Sequence, residues 1–86
     1  MAGFEVVVPR DVQKQIRSIP LPWRARIERG IDLLGYNPFL GEKMQGKFEG
    51  KRKIRVWPYR IFYYIYKQDK RVLVVEIQHR GSAGYK

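Results

Sequence analysis

This chain of 86 residues predicts an α+β domain in the order β-α-α-β-β-β, with a two-helix hairpin packed on one face of an antiparallel sheet. Three observations carry that expectation. Apolar residues recur at helical spacing between residues 12 and 34, they alternate with period two beyond residue 51, and glycine and proline clusters separate the two regimes. The length leaves room for a single domain, residues 1–86, with one modest core.

Phe4 to Val8 is a short β-branched and apolar run that ends at Pro9, a residue suited to the first turn of a helix. Val12 and Ile16 fall four apart and Pro20 and Pro22 stop the pattern, so the first helix is expected over about Pro9 to Ser18. Trp23, Ile27, Ile31 and Leu34 then form one stripe at i, i+4, i+8 and i+11; Pro22 suits the start of this second helix, and Gly35 with Asn37-Pro38 ends it. Residues 37 to 50, with Gly41, Gly46 and Gly50, are expected to be a loop.

From Lys51 the period changes to two. Lys53 and Arg55 alternate with Ile54 and Val56; Arg60, Phe62, Tyr64 and Tyr66 alternate with Ile61, Tyr63 and Ile65. A turn at Trp57-Pro58-Tyr59-Arg60 pairs Val56 with Ile61, Arg55 with Phe62 and Lys53 with Tyr64, and because Pro58 does not suit a primed two-residue turn a wider loop is expected. After a second turn at Lys67 to Lys70 or Arg71, the last strand covers Val72 to Ile77, with Leu73, Val75 and Ile77 toward the core and Glu76, Gln78 and Arg80 pointing the other way.

The composition narrows the chemistry. The net charge is +10, and residues 43 to 60 supply +6 of it through Lys43, Lys47, Lys51, Arg52, Lys53, Arg55 and Arg60 against Glu49 alone. Interleaved with Trp57, Tyr59 and Phe62 to Tyr64, such a segment suits a polyanion with stackable bases, because cations displace counterions while rings accept base faces. A hydrophobic share of 44% argues for a folded domain rather than a basic tail. With no cysteine and the lone His79, neither a disulfide framework nor a metal cluster is expected, and no cofactor. No apolar stretch is long enough for a membrane span and no leader pattern opens the chain, so a cytoplasmic protein without a membrane partner is expected.

Strand parity gathers Lys51, Lys53, Arg55, Arg60 and Arg80 on the face away from the helices, with Phe62, Tyr64 and Tyr66 as exposed rings that call for a covering ligand or protein. A solvated sheet face alone would also carry lysine and arginine. On RNA, this face could orient a 2′-hydroxyl against its neighbouring phosphate while the cations stabilise the developing charge. Parity turns His79 toward the core side, as a structural residue, and Glu76 is expected to align the arginines as an ion-pair partner. Tyr85 follows Gly81-Ser82-Ala83-Gly84, a segment able to curl back over the sheet.

The run Lys53-Ile54-Arg55-Val56-Trp57-Pro58-Tyr59-Arg60-Ile61-Phe62-Tyr63-Tyr64, with Ile77-Gln78-His79-Arg80 and the late Tyr85, resembles the RelE side of the RelE/ParE toxin superfamily over the whole chain. Met44-Gln45-Gly46 stands where that family usually has Leu-x-Gly, and Trp57-Pro58 where Gly-Asp is common. The resemblance implies a toxin of a type II toxin-antitoxin system that cleaves mRNA in the ribosomal A site without a metal, and a small acidic RelB-like antitoxin that wraps around it. It implies catalytic roles for Lys53, Arg55, Arg60, Arg80 and Tyr85: charge stabilisation by Arg60 and Arg80, activation and phosphate contact by Lys53 and Arg55, and stacking or proton transfer by Tyr85. The basic pair is Lys53 and Arg55, or Lys51 and Lys53 one strand step earlier. RNA contacts are expected from Lys47, Lys51, Arg52, Phe62 and Tyr64. A gyrase-poisoning toxin of the ParE type and a non-catalytic RNA-binding relative are the alternatives.

Overall fold

The computed structural model describes residues 3–44 and 50–80. Its elements are β1 (Glu5–Val7), α1 (Arg10–Arg17), α2 (Leu21–Tyr36), a 3-10 turn (Pro38–Leu40), β2 (Glu42–Lys43), β3 (Lys51–Val56), β4 (Tyr59–Tyr66) and β5 (Arg71–His79). The strands form one sheet in the order β1-β5-β4-β3-β2, antiparallel except for β1 alongside β5. The α+β class and the helix hairpin are as expected. The region expected to be only loop instead holds the 3-10 turn and the edge strand β2. Asn37 Oδ1 accepts the Phe39 N–H at 3.1 Å, which bends the chain into that turn.

Val12 and Ile16 of α1 are buried as their spacing predicts, and Ile27, Gly30, Ile31 and Leu34 are the buried residues of α2. Trp23 departs from the expected stripe: at the first turn of α2 it is 38% exposed, while Ile19 from the link between the helices is buried in the core. Gly30 brings α2 close to the sheet, since a Cβ there would stand 3.0 Å from Val56 Cγ2. The core consists of these helix residues against Ile61, Tyr63, Val72, Val74 and Ile77 of the two central strands. Each such side chain contributes on the order of 1.5–3 kcal/mol through burial.

Along β5 the expected parity fails in its first half. Phe62 pairs with Glu76 but Tyr63 pairs with Val74, so Val75 is an extra residue, a β-bulge. The bulge turns Val72 and Val74 toward the helices in place of Leu73 and Val75, which are only half-buried, while Ile77 keeps its expected core position.

Candidate nucleic-acid interface

The β3–β4 hairpin positions most of the predicted site. Its observed register pairs Lys51 with Tyr64, Lys53 with Phe62, Arg55 with Arg60 and Val56 with Tyr59, two residues away from the expected one. The difference arises at the turn, a two-residue connection of Trp57-Pro58 joined by a cis peptide bond, where a wider loop was expected. A shift of two leaves every side chain on its face. Ile54, Val56 and Ile61 therefore pack toward the core, and Lys51, Lys53, Arg55, Arg60, Phe62 and Tyr64 share the opposite face.

The strongest convergence is at the hairpin tip. Arg55, Trp57, Pro58, Tyr59, Arg60 and Arg80 line a pocket of about 190 Å³. Arg80 reaches it from just past the end of β5: its backbone N–H donates to the Pro58 carbonyl at 2.7 Å, and its guanidinium lies 4.6 Å from the centre of the Trp57 ring. Arg55 and Arg60 face each other directly across the two strands, an arrangement of like charges that opposes pairing. An anion between them would relieve that repulsion.

Further along the face, Lys53 lies between Glu42 of β2 and Phe62 of β4, and Phe62 in turn lies beside Glu76 of β5. Phe62 is not the exposed ring that parity alone suggests. It is 7% exposed, central in the sheet, with the Lys51 ammonium 5.6 Å from its ring centre. Tyr64 is half-buried and Tyr66 exposed. Glu76 accepts a hydrogen bond of 2.6 Å from the Gln78 amide.

Arg52 takes the other face. Opposite Tyr63, it donates through Nη1 to the Gly41 carbonyl at 2.8 Å and lies over the Phe39 ring. It therefore ties the 3-10 turn and the start of β2 to the sheet, on the side away from Lys51, Phe62 and Tyr64. Tyr63 does the same: its buried hydroxyl donates to the Pro38 carbonyl at 2.7 Å and accepts the Gly41 N–H at 3.0 Å. Burial pushes the Tyr63 phenol above its ordinary pKa, opposed by the Gly41 hydrogen bond and the nearby Arg52 charge. His79 is on the helix side as parity requires, yet exposed past the core, with its ring edge-on to Tyr59 at 5.0 Å. Lys47 and Tyr85 lie outside the described residues.

Sequence reasoning missed the Tyr63 tie and the contact of Arg80 with Trp57. A tyrosine on an apolar parity was the available signal for the first, because a buried phenol needs a hydrogen-bond partner. The second joins residues 23 apart in sequence, and no local pattern marks it.

Comparison with known proteins adds an independent view. The family described as ParE toxin of type II toxin-antitoxin system, parDE, matches residues 7–84. The fold is similar to a chain of the toxin-antitoxin complex RelBE2 from Mycobacterium tuberculosis, with a TM-score of 0.84 at 18% identity over 92% of this chain and 100% of that one. It is similar to a chain of the archaeal RelE-RelB complex from Pyrococcus horikoshii, with a TM-score of 0.75 at 22% identity over 94% and 99%. For the isolated E. coli RelE toxin the TM-score is 0.76 at 16% identity over 88% and 83%. A comparison with curated protein sequences finds no match.

Proposed function

This chain belongs to the ParE toxin family of type II toxin-antitoxin systems, within the RelE/ParE superfamily, and on that premise we propose that it is a metal-independent, ribosome-dependent endoribonuclease that cleaves mRNA in the A site. The observation that carries this reading is the tip pocket, where arginines from β3, β4 and the end of β5 surround one small volume. Donors fixed in advance around developing negative charge are what phosphoryl chemistry needs, and two of the three stand directly opposite each other on paired strands.

In the proposed reaction the 2′-oxygen of one nucleotide attacks the adjacent phosphorus and loses its proton. The bond from phosphorus to the 5′-oxygen breaks, and that oxygen takes up a proton. A 2′,3′-cyclic phosphate and a free 5′-hydroxyl result. Arg60 and Arg80 hold the non-bridging oxygens, Arg55 contacts the phosphate, and Lys53 assists the attacking oxygen. Tyr85 supplies stacking or proton transfer. Lys51 and Tyr64 extend the contact along the RNA, and Lys47 is proposed as a further RNA contact, whereas Phe62 supports the surface from within the sheet and Arg52 braces it from the helix side. The partners are the ribosome with its mRNA and a small acidic RelB-like antitoxin; of the similar structures, one is the toxin-antitoxin complex RelBE2 and another a RelE-RelB complex.

Ribosomes programmed with a defined A-site codon test the reading. Wild-type protein should cut at that codon, and Arg80→Ala should reduce the rate by roughly 10²–10³, as removal of one transition-state donor does. Intact mRNA together with gyrase-dependent DNA breaks would replace this reading with gyrase poisoning. Salt-sensitive RNA binding without cleavage would replace it with a non-catalytic role.

A further inference from the structure

We infer that Trp57 is a stacking platform for a nucleobase next to the phosphate held in the tip pocket, and so selects which base the site accepts. The inference rests on the RNA reading of that pocket and deepens it.

Four observations converge. Trp57 is the first residue of the two-residue turn, so its backbone is held between the paired residues Val56 and Tyr59. Its indole is 61% exposed even with the Arg80 guanidinium 4.6 Å from the ring centre. It lines the same pocket as Arg55, Arg60 and Arg80. Finally, the other ring lining the pocket, Tyr59, is half-buried, and Phe62 on the open face is buried within the sheet, so Trp57 presents the more exposed ring at the pocket. A single exposed ring means little on its own. A ring carried on a two-residue turn that shares its pocket with three guanidinium groups has the geometry of single-strand recognition, in which cations take the backbone and an aromatic face takes the base. Arg80 would then serve both: its charge faces the phosphate while its plane supports the indole from the side opposite the base.

Stacking on an indole favours the larger π-surface of a purine over a pyrimidine. Base contact at Trp57 thus gives the site a preference at one nucleotide without any hydrogen-bond readout, and it predicts dependence on that base rather than on the phosphates.

The test uses Trp57 as its own reporter, in a Trp23→Phe background that removes the other tryptophan. Short single-stranded RNAs, 2′-O-methylated throughout so that they cannot be cleaved, are titrated against wild type, Trp57→Phe and Trp57→Ala, with melting curves confirming that each variant is folded. We expect quenching of Trp57 emission, stronger for purine than for pyrimidine oligonucleotides. Binding followed by anisotropy should weaken roughly 5- to 150-fold in Trp57→Ala and recover in part in Trp57→Phe. The loss should disappear when the oligonucleotide carries abasic sites. No quenching up to millimolar oligonucleotide, equal quenching by abasic RNA, or an affinity unchanged in Trp57→Ala would each overturn the inference. Cleavage on programmed ribosomes is read separately: base-dependent quenching by a protein that cuts no mRNA keeps the platform and ends the ribonuclease reading. Cleavage that Trp57→Ala performs at the wild-type rate with unchanged base preference keeps the ribonuclease and ends the platform.

Discussion

On the helix side of the β3–β4 hairpin, Arg52 and Tyr63 sit opposite each other and direct their polar atoms at carbonyl groups and one amide of the 3-10 turn and β2. On the open side, Arg55 and Arg60 sit opposite each other near the turn and line a pocket. The same two strands thus carry arginines that do opposite work. One pair closes the fold; the other sets two like charges opposite each other beside the pocket, an arrangement that opposes strand pairing. Placement on a face, more than residue identity, separates a structural arginine from a functional one in this chain.

Three substitutions sharpen or break that contrast. The largest effect is expected from Gly41→Ala. A methyl group there would overlap the Tyr63 hydroxyl and stand 2.7 Å from the Lys53 carbonyl, which is backbone and cannot turn aside. Urea denaturation should show a loss of about 3 kcal/mol, from overpacking and the displaced hydrogen bonds together.

Next comes Tyr63→Phe, which removes the partner of the Pro38 carbonyl and of the Gly41 amide. We expect a loss of about 2 kcal/mol with cleavage per folded molecule unchanged; lost cleavage at full stability would erase the distinction between the two faces. The phenol also predicts a pH dependence. Its pKa in the folded protein lies above the ordinary 10.0, so the folded state holds that proton more tightly than the unfolded chain does. The resulting stability is complete below pH 10.0 and is lost as pH rises through the folded value. The advantage of wild type over Tyr63→Phe should therefore shrink above that pH.

The smallest effect belongs to the open side. Arg55→Gln should raise stability by about 0.5 kcal/mol at low salt, and the gain should vanish near 1 M salt, where the Debye length falls to about 3 Å. Cleavage should fall in the same variant. A stability loss would mean that Arg55 supports the fold as Arg52 does.

Much of this was legible in the sequence because parity survives errors of register. The expected pairing was two residues off, yet Lys51, Lys53, Arg55 and Arg60 were placed on the correct face, since an even slip moves no side chain across the sheet. The β5 expectation had no such protection. One extra residue at Val75 reversed the strand before it, and nothing in the run Val72-Leu73-Val74-Val75 marks which of four similar apolar residues is the extra one. Phe62 misled for a different reason: alternation predicts the face of a side chain, not how far its neighbours on that face cover it. The short β2 was hidden because a strand of two residues carries no period.

The position of β5 has a further consequence. It is the last strand in sequence among the described residues, but in space it lies between β1 and β4, and it brings Val72, Val74 and Ile77 to the core just ahead of Arg80. A nascent chain that has not yet delivered this strand therefore lacks both a closed interior and the third guanidinium of the pocket. The three guanidinium groups of the pocket therefore come together only after synthesis has passed residue 80 and the strand has inserted.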